Sequence, residues 1–387
     1  MNPVVIVGSG LAGYTLLKEL RKRDTTTPVT MVTADDGTFY SKPNLSNALA
    51  AHKTAAELAG APAEKLAAEL NATILTHTRV TAIDTAAQRV TTDGGEIDYH
   101  RLVLALGADP IPHGLSGEGS ADVLTVNDLA DYAVFRRALD GKKRITVLGG
   151  GLIGCEFAND LAHAGFAVDV VHLGAWPLER LLPVEAGQRL TDGLAGLGVR
   201  WHFGRKAERV ERAETGYRVV LDNGETLAAE IVLSAIGLLP RTRLPTAAGI
   251  PAGRGIQTNR LLETGAPNVY AMGDCAEVDG LNLPYVMPLM VQARALAATL
   301  SGTPTPVLYQ PMPVIVKTPA HPIAVLPPRI GAAGGWQVEC LDTGVCALHV
   351  DDNGVLQGFA LTGSETSRRA ALVKSLAAEL GVIPARA

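Results

Sequence analysis

Short apolar runs that end at glycine recur along the chain and predict strands of parallel sheets. Val4 to Val7 leads into Gly8-Ser9-Gly10-Leu11-Ala12-Gly13, and Tyr14 to Leu20 then follows with helical spacing. Ile145 to Leu148 leads into Gly149-Gly150-Gly151-Leu152-Ile153-Gly154, with Cys155 to Leu161 in the same rhythm. Each stretch reads as strand, tight turn, helix. The runs 29–32, 102–106, 168–171 and 231–236 are mostly apolar, as in strands covered on both faces. Elsewhere the pattern alternates. Residues 78–98 with a turn at Asp93-Gly94-Gly95, and the stretch around Asp222-Asn223-Gly224, predict antiparallel hairpins. After Thr303-Pro304-Thr305-Pro306 the alternation returns at Val314 to Val316 and Cys346 to Val350, and a helix closes the chain.

This order predicts an α/β protein with two Rossmann-like dinucleotide-binding domains and a C-terminal α+β domain. The first dinucleotide-binding domain is expected to be discontinuous, over 1–110 and 238–302, with the second inserted at 111–237 and the last domain at 303–387. Helices are expected from Asn127-Asp128 to Leu139 and from Leu283 to Leu300.

The two glycine-rich turns carry the first chemistry. Gly8 permits the turn, Gly10 lets the backbone approach a pyrophosphate, and Gly13 lets helix and strand pack closely. The free N–H groups and positive end of the helix then hold phosphates without a basic side chain. Gly149, Gly151 and Gly154 repeat the arrangement. Two such sites in one chain imply one dinucleotide held as a prosthetic group and another that comes and goes. An acid at the end of the following strand normally binds ribose hydroxyls. Asp35 or Asp36 stands there in the first unit, whereas His172 takes that place in the second. A neutral imidazole can hydrogen-bond a ribose, and a protonated one tolerates a phosphate. Arg180 is too far along to decide between them. Lys42, beside Pro43, reads from the residues alone as a lysine near a ring system or a solvated loop lysine, the latter favoured.

Composition narrows the partners. The chain has 387 residues, 47% of them hydrophobic, with a net charge of −5 and 4% aromatics. That disfavours nucleic acid, which asks for basic surfaces and stacking rings. The N-terminal apolar run lacks a basic flank and is broken by Gly8 and Gly10, so it reads as a strand rather than a secretory signal. No apolar run has the length of a membrane span, and the cytoplasm is the expected location. Cys155, Cys275, Cys340 and Cys346 show neither dithiol nor metal-ligand spacing. No metal site is expected.

Together with Val-Tyr-Ala-x-Gly-Asp at 269–274 and the β-rich C-terminal part, the two fingerprints resemble those of the two-dinucleotide-binding flavoprotein reductases over the full length. Thr-Ala-Asp-Asp-Gly at 33–37, Tyr-Ser-Lys-Pro at 40–43, Gly-Leu-Ile-Gly-Cys-Glu-Phe-Ala-Asn-Asp-Leu at 151–161, residues 273–283 and 285–290, and Val-Lys-Thr-Pro-Ala at 316–320 resemble the members that serve rubredoxin in alkane-oxidising bacteria. The resemblance implies bound FAD, NADH as co-substrate and rubredoxin as acceptor. By the same resemblance, Gly8, Ser9, Gly10 and Leu11 would cradle the FAD pyrophosphate, and Thr33, Ala34 and Asp35 would meet its adenosine, with the backbone of Val80 at the adenine. Lys42 would lie near the flavin N5 and Glu156 near the nicotinamide and flavin faces. Asp274 would bind the ribitol, Val286 would start a helix aimed at the flavin, and Lys317 would reach the flavin edge. Gly149, Gly151, Gly154, His172 and Gly237 complete the cofactor-binding set. The missing vicinal cysteine pair separates the chain from the disulfide reductases. A flavin suits this task because hydride carries two electrons and a rubredoxin iron accepts one. A [2Fe–2S] ferredoxin as acceptor, or an NADH-sensing role without turnover, are the alternatives. Because the chain is net acidic, attraction for an acidic acceptor has to come from a local cluster, for which Lys317, Arg329, Arg368, Arg369 and Lys374 are candidates.

Overall fold

A computed structural model describes residues 2–329 and 331–380. Three sheets organise these residues. The first is parallel, with Val269–Ala271, Arg101–Leu104, Val4–Val7, Val29–Val32 and Thr73–Leu75 side by side. Its four N-terminal strands are joined at one edge by a strand from more than 160 residues later, since Val269 lies opposite Leu102. The second sheet repeats the arrangement with Arg200–Phe203, Ala167–His172, Arg144–Leu148 and Ile231–Ser234. In both, the strand before the glycine turn lies centrally between the next strand in sequence and one that arrives after an antiparallel three-stranded meander. Those meanders are Val80–Asp84, Arg89–Thr92, Gly95–Asp98 and Ala207–Arg212, Tyr217–Leu221, Thr226–Ala229.

The chain leaves and re-enters the first unit along one seam. Ala108–Pro110 pairs antiparallel with Leu238–Pro240, and Arg241 bridges to Asp109 across it at 2.6 Å. The third sheet is antiparallel, in the order Val314–Val316, Ile323–Leu326, Leu356–Thr362, Gly344–Val350 and Gly335–Leu341. Alternate residues of its central strands divide between two cores. Val345, Ala347 and Ala360 pack with Ala186 and Leu190 of the second unit, while Cys346, Phe359 and Leu361 pack with Leu376 of the closing helix Arg369–Leu380. The C-terminal sheet is thereby fixed to the second dinucleotide-binding unit by apolar burial, at about 1.5–3 kcal/mol for each large side chain.

Helix limits differ modestly from those expected. The helix expected from Leu283 begins at Val286, because Pro284 interrupts the chain and the Tyr285 N–H turns back to Leu283 O at 2.8 Å. Pro288 falls in its first turn, where a missing N–H costs nothing. The helix expected over 127–139 spans Leu129–Ala138, with Asp128 as its N-cap.

Candidate functional site

Both glycine turns have the same local geometry. Gly8 and Gly149 sit at φ +114° and +105°, and a Cβ at Gly13 or Gly154 would overlap the carbonyl oxygen of Gly8 or Gly149. These four positions are closed to larger residues by the fold itself. Gly10 and Gly151 differ in kind: a Cβ at either meets nothing within 4 Å. Each is the N-cap of a helix, Leu11–Arg21 or Leu152–His163, with no side-chain cap and no acid in the first turn. Two uncapped helix ends therefore open onto space beside a glycine, which fits two pyrophosphates.

At the end of Val29–Val32 the two aspartates separate. Asp36 Oδ1 accepts the Thr38 N–H at 2.9 Å, a turn-capping role. Asp35 Oδ1 instead accepts Thr33 Oγ1 at 2.5 Å and the Gly37 N–H at 2.9 Å, with Ser9 Oγ 3.0 Å away. Asp35 is thereby tied to the first fingerprint and is exposed, as a ribose-binding acid must be. Ala34 is also exposed. Val80 is half-buried at the start of the meander, and Thr78 N–H donates to Thr33 O at 2.8 Å, holding that approach beside the Ser9–Thr33–Asp35 group.

Lys42 is not a solvated loop lysine. It is half-buried at the head of the 3-10 helix Lys42–Asn47, and Nζ donates to Asn127 Oδ1 at 2.6 Å. Asn127 is positioned in turn by Nδ2 donating to Ala108 O and by its N–H donating to Asp131. Burial lowers the Lys42 pKa and raises that of Asp274, and the attraction between the two charges opposes both shifts. Asp274 lies in a short 3-10 turn, Gly273–Cys275. Gln292 accepts the Gly273 N–H at 2.7 Å, and Asn282 Nδ2 donates to Asp274 O at 3.0 Å.

The helix Val286–Leu300 has no side-chain cap at Tyr285, and Val286 and Met287 are exposed at its start. At its other end Arg101 donates to Leu300 O at 2.8 Å. The C-terminal partial charge is satisfied and the N-terminal one is left for an anion.

Glu156 joins three parts of the chain. It is buried on the helix of the second fingerprint, and Ser46 Oγ donates to Oε2 at 2.5 Å. From the C-terminal sheet, the Lys317 N–H donates to Oε1 at 3.0 Å and Lys317 Nζ pairs with Oε2 at 2.7 Å. Lys317 Nζ also donates to Ser46 Oγ at 2.9 Å and to Pro43 O. One turn on, Asp160 accepts the N–H groups of Leu49 and Ala50, and Asn159 accepts that of Ala320. A single helix face thus holds the Lys42 segment on one side and the Lys317 segment on the other. Gly237, at φ +121°, lies on the seam, where its carbonyl accepts the Ile111 N–H at 3.0 Å.

The expectation for His172 needs correction. Its Nδ1 accepts the Gly150 N–H at 3.1 Å, and its Nε2 is buried without a partner. Burial also lowers its pKa, and with Nδ1 taken by Gly150 and Nε2 buried the ring turns neither nitrogen outward to a ribose. The expected positive patch also shrinks. Lys317 is committed to Glu156, and Arg368 pairs with Glu365 at 3.3 Å and Glu339 at 3.6 Å. Arg329, Arg369 and Lys374 are exposed.

Residues 2–297 match the family model described as pyridine nucleotide-disulphide oxidoreductase. The chain belongs to this family. Residues 306–376 match a rubredoxin binding C-terminal domain. A rubredoxin-NAD(+) reductase of Alcanivorax borkumensis is 49% identical over 98% of this chain and 99% of that protein. One of Acinetobacter baylyi is 45% identical over 100% of both. Among solved structures, a ferredoxin reductase from Rhodopseudomonas palustris superposes with a TM-score of 0.86 at 26% identity, covering 94% of this chain and 91% of that one. FAD and NADH are the cofactors of the family.

The disulphide in the family's description has no counterpart here. Cys155, Cys275 and Cys346 are buried and Cys340 is exposed, all as free thiols. Burial raises the Cys275 pKa to about 11 and that of Cys155 further. Cys340 and Cys346 lie on adjacent strands but face opposite sides of the sheet, since Cys340 opposes Val345 and Cys346 opposes Glu339. Cys→Ala variants at all four positions are therefore expected to reduce an acceptor at near-native rates. Loss of flavin-to-acceptor transfer in any folded, FAD-loaded variant would revive a thiol step.

Among the described residues, no helix is long and apolar enough to cross a membrane, and no group of His, Cys, Asp and Glu forms a metal site.

Proposed function

We propose that this chain takes a hydride from NADH onto bound FAD and passes single electrons to rubredoxin. The observation that carries the reading is the Glu156 junction. There the helix of the second fingerprint, the Lys42 segment of the first unit and Lys317 of the rubredoxin-binding domain meet within hydrogen-bond distance.

Each residue has a defined task in this reading. The uncapped helix end at Gly10, with Ser9 and Leu11, holds the FAD pyrophosphate, and Asp35 with Thr33 and Ala34 holds the adenosine. Asp274 accepts from the ribitol. The uncapped N-terminus of the helix from Val286 would face the bound flavin and favour added negative charge on it. Gly149, Gly151 and Gly154 seat NADH at the other helix end. Lys42, held by Asn127, would lie against the flavin, and Glu156, held by Ser46 and Lys317, would lie where nicotinamide and flavin meet. FAD, when bound, supplies a carrier that accepts two electrons together and releases them singly. The division at 1–110 with 238–302, 111–237 and 303–387 is our reading of the domains, supported by sheet membership and by the seam at 108–110 and 238–240. A cytoplasmic setting and supply of electrons to an alkane-hydroxylating system belong to the same proposal, supported by the motifs at 33–43 and 151–161.

Anaerobic mixing tests it. NADH is expected to bleach the flavin absorbance in one phase, and oxidised rubredoxin to restore it. Bleaching that no one-electron acceptor reverses would instead favour an NADH sensor.

A further inference from the structure

We propose that Glu179, rather than a residue of the strand itself, selects NADH over NADPH by occupying the ground of the 2′-phosphate. The proposal rests on the second fingerprint being the nicotinamide coenzyme site. In dinucleotide-binding units an acid at the end of the second strand holds the ribose hydroxyls. The strand Ala167–His172 ends without one. His172 is a wedge beneath the fingerprint: a Cβ on Gly150 would lie 2.8 Å from its Cγ, and both ring nitrogens are turned inward.

The chain beyond His172 folds back. Leu178 is buried at φ +58°, a left-handed conformation that costs a leucine of order 1–3 kcal/mol unless its surroundings impose it. They do: its N–H donates to Gly150 O at 2.9 Å, and Trp176 Nε1 donates to Leu182 O at 3.0 Å. This forced reversal turns Glu179 towards the strand end. Glu179 Oε2 accepts the Ala175 N–H at 3.2 Å, and its carboxylate lies so close to Gly174 that any Cβ there would collide with it. The Gly174 carbonyl in turn accepts the Gly204 N–H at 3.0 Å, fixing this corner to the neighbouring strand.

Glu179 is exposed, and its carboxylate stands against Gly174 and Ala175, two and three residues past the strand end at His172. Two cations stand nearby, Arg180 and Arg205; the latter donates to Gly204 O at 3.2 Å. Without Glu179 they would favour a phosphate. A carboxylate at that point can accept from a ribose hydroxyl and repels a 2′-phosphate.

Glu179→Gln separates charge from structure, because the amide oxygen can still accept the Ala175 N–H. Calorimetry on the FAD-loaded protein would compare ADP-ribose with 2′-phospho-ADP-ribose, and steady-state assays would compare NADH with NADPH. In Glu179→Gln the 2′-phosphorylated ligand is expected to bind about tenfold tighter, and in Glu179→Lys about a hundredfold, with ADP-ribose changing less than either. The NADPH effect is expected in KM rather than kcat, as for a group that touches only the adenosine end. An unchanged ratio of the two affinities in Glu179→Gln and Glu179→Lys overturns the proposal while leaving the coenzyme site intact. Failure of ADP-ribose to bind the wild type overturns the site itself, and the proposal with it.

Discussion

Gly10→Val is expected to give a folded protein isolated without FAD. A Cβ at residue 10 meets no atom within 4 Å apart from its chain neighbours, so the turn itself accepts a side chain there. What the isopropyl group fills is the space over the uncapped end of Leu11–Arg21, where a pyrophosphate would approach the backbone. Gly13→Val is the contrasting case. Its Cβ overlaps Gly8 O, the carbonyl at the turn, and neither backbone can move without separating strand from helix. That variant should fail to accumulate as folded protein. The comparison is made by flavin absorbance per protein and by thermal unfolding against the apoprotein. The reference matters, since a ligand at 100 to 1,000 times its Kd adds about 2.7–4.1 kcal/mol of stability that Gly10→Val forfeits without misfolding. Wild-type FAD content in Gly10→Val would remove this turn from the site.

Lys317→Met should be costly in two separable ways. The Lys317 and Glu156 side chains are 29% and 9% exposed. Removing one partner of a fully buried pair costs about 3–5 kcal/mol. Lys317 keeps some contact with water, so about 2–3 kcal/mol is expected, read by denaturant unfolding. Glu156 would retain Ser46 Oγ and the Lys317 N–H, which limits the loss. Adding Glu156→Gln removes the stranded charge and should recover much of the stability. Flavin reduction by NADH should not recover, because the junction also sets where the two fingerprints lie relative to one another. A fall of about tenfold to a hundredfold in the bleaching rate is expected in both variants, in keeping with the sensitivity of transfer to misplacement. Equal bleaching rates in wild type and both variants would reduce the junction to a structural clamp.

What is legible in the sequence is local. Glycine spacing within one strand–turn–helix marks both fingerprints, because the steric demands at Gly8, Gly13, Gly149 and Gly154 are met within the unit or by the strand beside it. The insertion of the second fingerprint within the first unit was implied by the family resemblance, and Val269–Ala271 pairs beside Arg101–Leu104 accordingly. What escaped depends on distant partners. The residues around Lys42 point to solvent; its partner Asn127 is 85 positions away, and the Asn-Asp pair there looks like nothing more than a helix cap. Ser46 carried no signal either, since its partner Glu156 is 110 positions on. The acid missing at His172 seemed lost for a related reason. A left-handed leucine has no sequence signature, so the reversal that presents Glu179 could not be anticipated. The basic cluster is smaller than expected because charge was counted without its pairs: Lys317 is paired with Glu156, and Arg368 with Glu365 and Glu339.

The central claim is a path from NADH through FAD to rubredoxin, and acceptor choice tests it most directly. The FAD-loaded protein would be supplied with NADH and limiting amounts of purified rubredoxin or of a [2Fe–2S] ferredoxin, over a range of salt. Electron-transfer encounters are small and transient, and charge acts mainly on their association rate. Rubredoxin is expected to be reduced with a kcat/KM at least about a hundredfold above that for the ferredoxin, falling as salt screens the exposed Arg329, Arg369 and Lys374, while the bleaching of flavin by NADH stays nearly constant. Efficient reduction of the ferredoxin with little or none of the rubredoxin would contradict the account.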